Sequence, residues 1–273
     1  MEQLLDRLTQ LPPLPDVCLK LGQLVEDPRC TAQSMAALIE KDAALAADLL
    51  RLSNSAFYAV PGGIKTVQRA VTTLGFSAVH QFALCTLSNL VLKRAGSGLD
   101  PAMAQHARAV SAIAVKLAAD AKLVGRDVAL AAGLLHDVGR MAVQVLAPQK
   151  MREYQERAAK SGYSLELERE VWGVDHLQIA KRLGTKWHYP PPLMNAIEHH
   201  HAPPPPPAPQ KATVADAICV ADEWAAALGW PSMAGGQAVA AGAEPAARLN
   251  VPQRPPETER AALRLLVENA VAF

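Results

Sequence analysis

The residues Ala132-Gly-Leu-Leu-His-Asp-Val-Gly-Arg140 place an imidazole, His136, directly beside a carboxylate, Asp137. Both groups are ligands of divalent transition metals, so the adjacent pair is a starting point for a metal site. The apolar residues before the pair recur at helical spacing: Val128, Leu130, Ala131, Leu134 and Leu135. The pair is therefore predicted to lie late in a buried helix, with Asp127 as the N-cap and Gly139 loosening the far end.

The composition favours a helical protein with a sizeable buried core. Half of the 273 residues are apolar, much of that content is alanine, and only 4% of the residues are aromatic. Sequence rich in Ala and Leu, with few β-branched runs, predicts helices rather than strands. A chain of this length forms one large domain or two small ones. We therefore expect an all-α fold.

Charge and cysteine usage narrow the classes of partner and compartment. The formal net charge is +1 and no Lys/Arg stripe stands out, so we expect no nucleic-acid partner. The four cysteines form no CxxC pair and predict buried thiols of a reducing, cytoplasmic compartment. Because no apolar run approaches the roughly 18 residues that span a bilayer, and residues 1–7 carry charge where a signal peptide is apolar, we expect no membrane association.

Residues 11–95 are predicted to form about five short helices, with Asp16, Thr31 or Ser34, and Thr66 at their starts. Four ordered segments of this half resemble the N-terminal half of the HDOD family. They are Leu11-Pro-Pro-Leu-Pro15, Ala37-Leu-Ile-Glu-Lys-Asp42, Leu49-Leu-Arg-Leu-Ser-Asn-Ser55 and Ala70-Val-Thr-Thr-Leu-Gly75. HDOD domains are bacterial signalling domains related to HD-type metal-dependent phosphohydrolases. Ala43 departs from the pattern, since the family usually has proline there, and this affects a helix boundary.

The second half also resembles the family, through Gly173-Val-Asp-His176, Trp187-His-Tyr-Pro190 and the His-His-x-Pro element that ends at Pro203. The resemblance implies an HDOD-like domain over 11–205, with an N-terminal helical lobe (11–95) packed on an HD-like helical bundle (100–225). Residues 206–273 are predicted to be a C-terminal extension that packs on the same unit. Within it we expect extended proline-rich backbone at 203–207, a loop at 231–256 and an amphipathic helix at 257–271.

The resemblance implies a metal site in which imidazoles from separate helices converge on Asp137. The residues that match the ligand positions of HD-type enzymes are His106, His136, Asp137, His176, His200, His201 and Asp222. Such nitrogen and oxygen ligands suit Fe, Mn, Zn or Ni. A structural alternative stays open, in which His176 and His200 are packing histidines bonded to backbone carbonyls and Asp216 competes with Asp222. His188 and His199 match no family position and receive no role.

For function, the resemblance implies a signalling output module that binds a protein partner and is not catalytic. The alternative is a metal-dependent phosphohydrolase acting on a nucleotide or phosphoester. Cyclic di-GMP hydrolysis is not expected, because no Gly-Tyr-Pro element follows the paired histidines and Arg140 replaces the lysine of those enzymes. A guanidinium can still hold phosphate, but it cannot donate a proton at a modest pKa. The sequence assigns no catalytic residue and no oligomeric state.

Overall fold

A computed structural model describes residues 2–55, 60–96, 100–125, 127–205, 211–232 and 243–270. Over these ranges the chain forms α-helices and no strand, which confirms the predicted all-α fold. The helices are α1 (Glu2–Gln10), α2 (Asp16–Glu26), α3 (Ala32–Ile39), α4 (Ala43–Ser53), α5 (Val67–Leu74), α6 (Phe76–Ala95), α7 (Pro101–Asp120), α8 (Val128–Leu135), α9 (Val138–Leu146), α10 (Pro148–Ser161), α11 (Leu165–Trp172), α12 (His176–Lys186), α13 (Pro191–Glu198), α14 (Val214–Ala227), α15 (Ala243–Leu249) and α16 (Arg260–Glu268).

Side-chain caps set the starts of the short N-terminal helices. Thr31 and Ser34 form a reciprocal capping box at α3, and the Thr66 hydroxyl accepts from the Arg69 amide at α5. Asp42 accepts from two amides at the start of α4. The prediction that Asp16 caps α2 is wrong, because Pro15 occupies the cap position and Asp16 is the first helical residue.

Two clusters of buried apolar side chains share helix α6. The smaller cluster joins α2 to α5 and includes Phe82 of α6, whereas the larger cluster includes Leu84 of the same helix and most of the later helices. Ser88 and the hydroxyl of Tyr189 lie 2.6 Å apart and tie α6 to the segment before α13. The proposed lobe boundary near residues 95–100 stays a prediction, since part of it falls outside the described residues.

The centre of the larger cluster is a close packing of α7 against α8 and α14. A Cβ atom added to Gly133 of α8 would lie 2.3 Å from the Cα of Ser111, so only glycine allows α7 and α8 to approach this closely. The hydroxyl of Ser111 donates to the carbonyl of Leu130 at 2.9 Å. These contacts fix the register between the helix that carries His106 and the helix that ends at His136.

The stretch Val128–Leu146, which covers α8 and α9, is long and apolar enough to cross a bilayer, contrary to our expectation of no such run. However, 89% of this stretch is buried inside the protein. The core helices of soluble proteins can be equally long and apolar. Helices α5 and α6 are long and apolar enough to cross a bilayer only if they are taken together as one span. The angle between them is 112°.

The C-terminal extension corrects one expectation. The predicted loop at 231–256 contains helix α15, whose Arg248 donates from Nε to Asp216 Oδ1 at 2.9 Å. Asp216 also forms a capping box with Thr213 at the start of α14. The predicted terminal helix is present as α16, shorter than 257–271, and packs on α7. Residues 203–205 are not helical, whereas 206–210 and 233–242 lie outside the described residues.

Candidate metal centre

The His136–Asp137 pair lies in a break between two helices, not inside one helix as predicted. Helix α8 ends at Leu135, and Asp137 is the residue before the first turn of α9. Gly139 does not loosen a helix end, because it lies within α9, where an added Cβ would be 2.0 Å from the carbonyl oxygen of His176. The sequence therefore needs glycine here so that α12 can approach the pair.

The predicted position of the α8 cap is confirmed, since Asp127 is the N-cap residue. Asp127 makes no side-chain capping bond, and its carboxylate accepts from the hydroxyl of Ser77 at the start of α6.

The structure brings all seven predicted side chains together. His106 lies on α7, His176 begins α12, His200 and His201 follow α13, and Asp222 lies on α14. Their role as metal ligands stays a prediction, but the described residues contain a His/Asp cluster that could hold a metal ion.

At one end of the cluster, His106 is the shared neighbour. Its Nε2 atom lies 3.1 Å from Nε2 of His136 and 3.2 Å from Oδ1 of Asp222. His136, His200 and Asp222 each offer a ligand atom within 4.8 Å of the others. This end therefore gathers three imidazoles, on α7, after α8 and after α13, and the distal carboxylate on α14.

At the other end, His176 is the shared neighbour. Its Nε2 atom lies 3.2 Å from Nε2 of His201 and 3.5 Å from Nε2 of His200. Asp137 lies between the two ends: its Oδ2 is 3.6 Å from Nε2 of His136, and its Oδ1 is 3.5 Å from Nε2 of His176. The donor atoms thus form two groups that share one carboxylate.

The hydrogen bonds made by the outward-facing nitrogens determine which nitrogen of each ring carries the hydrogen. The Nδ1 atoms of His106, His136 and His200 lie 2.7–2.8 Å from backbone carbonyl oxygens. Because a carbonyl oxygen only accepts, each Nδ1 carries the hydrogen, and a neutral ring then presents the Nε2 lone pair inward. Two Nε2 lone pairs that face each other, as those of His176 and His200 do at 3.5 Å, cannot hydrogen-bond one another, whereas a divalent cation satisfies both. The packing-histidine alternative accounts for Nδ1 of His200, which faces a backbone carbonyl, but not for His176, whose Nδ1 faces the carboxylate of Glu168.

A buried carboxylate that the sequence interpretation left without a role holds the fourth ring. Glu168 Oε2 accepts from Nδ1 of His176 at 2.6 Å and from the His176 amide at 2.8 Å. Its Oε1 accepts from Nε of Arg140 at 2.7 Å, and Nη1 of Arg140 donates to both oxygens of Asp137 at 3.0 and 3.1 Å. Glu168 therefore connects one imidazole and one carboxylate of the cluster through a single guanidinium.

A sequence signal for Glu168 exists. It lies on the same face of α11 as the buried residues Leu167, Val171 and Trp172, so it is an acidic residue at an apolar position of the helical repeat. Its neighbours Glu166 and Glu170 lie on the exposed face. Arg140, expected to be available for phosphate, is instead buried and paired with two carboxylates.

Burial and charge set the protonation states. Burial lowers the pKa of His200 to about 3 and also lowers that of His136 and His201. Burial opposes the charged forms of Asp222 and Glu168, but the imidazoles beside them outweigh it, assisted at Glu168 by Arg140, and bring the pKa of each to about 2. The buried carboxylates are thus ionised and three of the imidazoles neutral at pH 7, which is the state that metal ligands require.

His106 differs from the other rings. Burial acts against its charged form, yet the hydrogen bond and charge of Asp222 raise the pKa of His106. Both of its nitrogens face acceptor atoms, so a proton or a metal ion must occupy the side toward Asp222.

Residues 11–203 match the HDOD domain model. The chain belongs to the HDOD family. An uncharacterized protein of Treponema pallidum (strain Nichols) is 26% identical over 197 residues, which make up 70% of this chain but only 38% of that protein.

Two solved structures share the HDOD fold over nearly the whole chain. An HDOD domain protein of unknown function from Geobacter sulfurreducens superposes with a TM-score of 0.70 at 20% identity, covering 97% of this chain and 94% of that one. A protein of Shewanella amazonensis SB2B, provisionally named a phosphohydrolase, superposes with a TM-score of 0.70 at 19% identity and covers 98% of both chains. At this identity the two structures establish a common fold and nothing about activity.

Proposed function

We propose that this HDOD protein is a metal-binding signalling module whose output is contact with a protein partner and whose buried centre does not turn over a phosphoester. The observation that carries the metal part is the set of inward-facing Nε2 lone pairs around Asp137. No hydrogen-bond arrangement among neutral rings satisfies these lone pairs, whereas Fe, Mn, Zn or Ni would.

The residues fit such an ion from both ends of the cluster. His106, His136 and Asp222 would hold it at one end, His176, His200 and His201 at the other, and Asp137 is within reach of both. When bound, the ion supplies Lewis acidity and fixes the relative positions of α7, α8, α12 and α14. Such a centre would stabilise the packing of the bundle that a partner recognises.

The non-catalytic part rests on Arg140. A phosphoester hydrolase needs a group that can hold the phosphate or move a proton beside the metal. The guanidinium of Arg140 is bonded to Asp137 and Glu168, and although burial opposes its charge, these carboxylates raise its pKa well above the usual value. It therefore acts as a fixed cation within the protein and not as a proton donor.

A metal-dependent phosphohydrolase is the second candidate. It is favoured by the completeness of the ligand set and by the partial exposure of His201 and Asp222, which gives the centre a side toward solvent. The provisional name of the Shewanella amazonensis protein is consistent with it.

Elemental analysis of the untagged protein, before and after reconstitution, tests the metal part. We expect about one equivalent of Fe, Mn, Zn or Ni, strongly reduced in Asp137→Asn and unchanged in His188→Ala, a histidine outside the cluster. No retained metal under any condition would refute the proposal. In a phosphoesterase panel, turnover that is absent from Asp137→Asn would replace the leading function with the second candidate.

A partner-capture experiment tests the signalling part. The wild-type protein and a His136→Ala variant are immobilised on a support and compared for a partner retained from the source organism's lysate. We expect the same specific partner on both, with weaker retention only where the variant is less folded. Loss of the partner in a fully folded His136→Ala variant would show that the output depends on chemistry at the centre.

A further inference from the structure

A cleft, here called the α14 cleft, lies beside the first turn of α14. Val214 in this turn is about 12 Å along the helix from Asp222, so the cleft is separate from the metal centre. Its walls are the segment from the end of α7 to the start of α8, helix α13, and residues 211–215 and 248–250. Its volume is about 850 Å³, within the range of pockets that bind ligands. Buried apolar residues line it: Leu123, Val128, Ala196, Ala215 and Leu249.

The unpaired charges on the α14 cleft are positive. Lys122 and Lys211 are exposed, and neither side chain bonds to any of the described residues. Arg248, by contrast, is already paired with a buried aspartate. Among the described lining residues the one carboxylate is Asp120, and it is paired with Lys116 at 2.6 Å. The two free lysines therefore leave positive charge beside an apolar surface without a partner of opposite charge.

The start of α14 adds hydrogen-bond donors to the same cleft. The side chain of Thr213 accepts from the amide of Asp216, so this cap leaves the amides of Val214 and Ala215 without an acceptor among the described residues. Both of these residues line the cleft. The helix start also carries partial positive charge, which reinforces that of the lysines. Carboxylates attached to an apolar body complement this combination of donors, cations and apolar floor.

The rim of the cleft favours a protein segment over a small molecule. Val124, on the rim, is 91% exposed and is the most exposed large apolar side chain among the described residues. A small ligand inside the cleft would leave this side chain in water, whereas a polypeptide that crosses the rim would cover it. An apolar centre with charged groups around it is also the usual arrangement of protein–protein interfaces.

We propose that the α14 cleft docks a segment of the partner protein in which acidic side chains stand next to apolar ones. The acidic side chains would pair with Lys122 and Lys211. The apolar side chains would pack against Leu123 and Leu249 and cover Val124. This inference rests on the proposed signalling function, and it adds the chemistry of the segment that the partner presents.

Selection from a displayed library of random short peptides on the whole protein tests the docking site without knowledge of the partner. We expect the enriched peptides to combine Asp or Glu with apolar residues. The tightest of them, made synthetically, should bind with a Kd that rises about tenfold in Lys122→Glu/Lys211→Glu. Val124→Ser, which removes only apolar surface, should raise the Kd about threefold.

The matched control is Lys65→Glu/Lys160→Glu. These two lysines are also exposed and without partners among the described residues, but they lie outside the cleft. The control has the same net charge as the cleft variant, and at physiological ionic strength charges are screened beyond about 8 Å. Its Kd should therefore equal that of the wild type.

Three results would overturn the docking site: no enriched peptide, enriched peptides that lack acidic residues, or an equal change of Kd in the two double variants. If Lys122→Glu/Lys211→Glu does not fold, Lys122→Met/Lys211→Met replaces it, with a loss of affinity in the same direction. Metal content and partner capture test the proposed function separately. A protein that holds metal and captures a partner but gives one of these three results would therefore refute the docking site alone.

Discussion

Replacing Glu168 with glutamine tests whether the buried network, and not only the ligands, holds the metal centre. The substitution keeps the shape of the side chain but turns one of its two acceptor oxygens into a donor. In the wild type one oxygen accepts from His176 twice, and the other accepts from Arg140. In either orientation of the glutamine amide, its NH2 group would face a donor, either of His176 or of Arg140.

The size of the effect follows from these contacts. Hydrogen bonds to charged groups contribute about 1.5–3 kcal/mol each, and removing one partner of a buried ion pair costs about 3–5 kcal/mol. Glu168 is fully buried, so solvent does not weaken these terms. We therefore expect Glu168→Gln to lower the free energy of unfolding of the metal-free protein by about 3–5 kcal/mol.

Metal affinity is a second measurement, and it would not change if Glu168 had a purely structural role. Partners that hold the far nitrogen of a ligating histidine typically change metal affinity by about 10–100-fold, so competition with a chelator should show a loss of that size. The matched control is Glu170→Gln on the same helix, whose carboxylate is 60% exposed and paired with Arg157. It should change stability by less than about 1 kcal/mol and leave metal affinity unchanged. Equal behaviour of the two variants would refute the role assigned to Glu168.

Three further changes probe the packing around the site. Gly139→Ala should lower the melting temperature and metal content together, because the added methyl group would lie 2.0 Å from the His176 carbonyl oxygen; unchanged values would show that α9 and α12 move apart freely. Arg248→Met should lower the melting temperature by removing the partner of buried Asp216, yet leave metal content at the wild-type level. Burial lowers the pKa of His80, so the unfolded chain binds a proton more readily than the folded chain, and the free energy of unfolding should fall as the pH drops below about 6.5. His80→Phe should reduce the slope of this pH dependence by up to about 1.4 kcal/mol per pH unit. Urea denaturation between about pH 7 and pH 5.5 measures the slope.

The sequence predicted which residues gather at the candidate site, because the family motif specifies individual positions. His106, His176 and Asp222 come from helices far apart in the chain, yet all three reach the cluster around His136. Apolar periodicity and capping residues also predicted the short helices between residues 11 and 95, since these signals are local.

Features that depend on close contact between distant segments were missed. Gly139 was assigned to the helix end because the sequence does not show that the His176 carbonyl lies against it. Helix α15 was missed because part of what fixes it is the pairing of Arg248 with Asp216, 32 residues away. Arg140 was expected to be free for phosphate because its partner Glu168 lies on another helix.

The charge of the buried centre bears on which of the two proposed functions holds. Asp137, Asp222 and Glu168 are ionised and Arg140 is protonated, so these four groups give the enclosure a net charge of minus two when a metal ion takes the place of any proton on His106. One divalent cation neutralises it, which avoids the cost of an uncompensated buried charge. Two cations would leave an excess of about two positive charges, which a bound anion such as a phosphoester would have to balance.

Metal stoichiometry measured with and without inorganic phosphate therefore separates the two functions. A non-catalytic module should hold about one ion whether or not phosphate is present. A hydrolase should approach about two ions, with the second retained more tightly in phosphate. Arg140 supplies positive charge that a second cation would otherwise bring, so Arg140→Leu should raise the capacity for metal. If Arg140→Leu instead binds no more metal than the wild type while remaining folded, charge is not what limits the centre to about one ion.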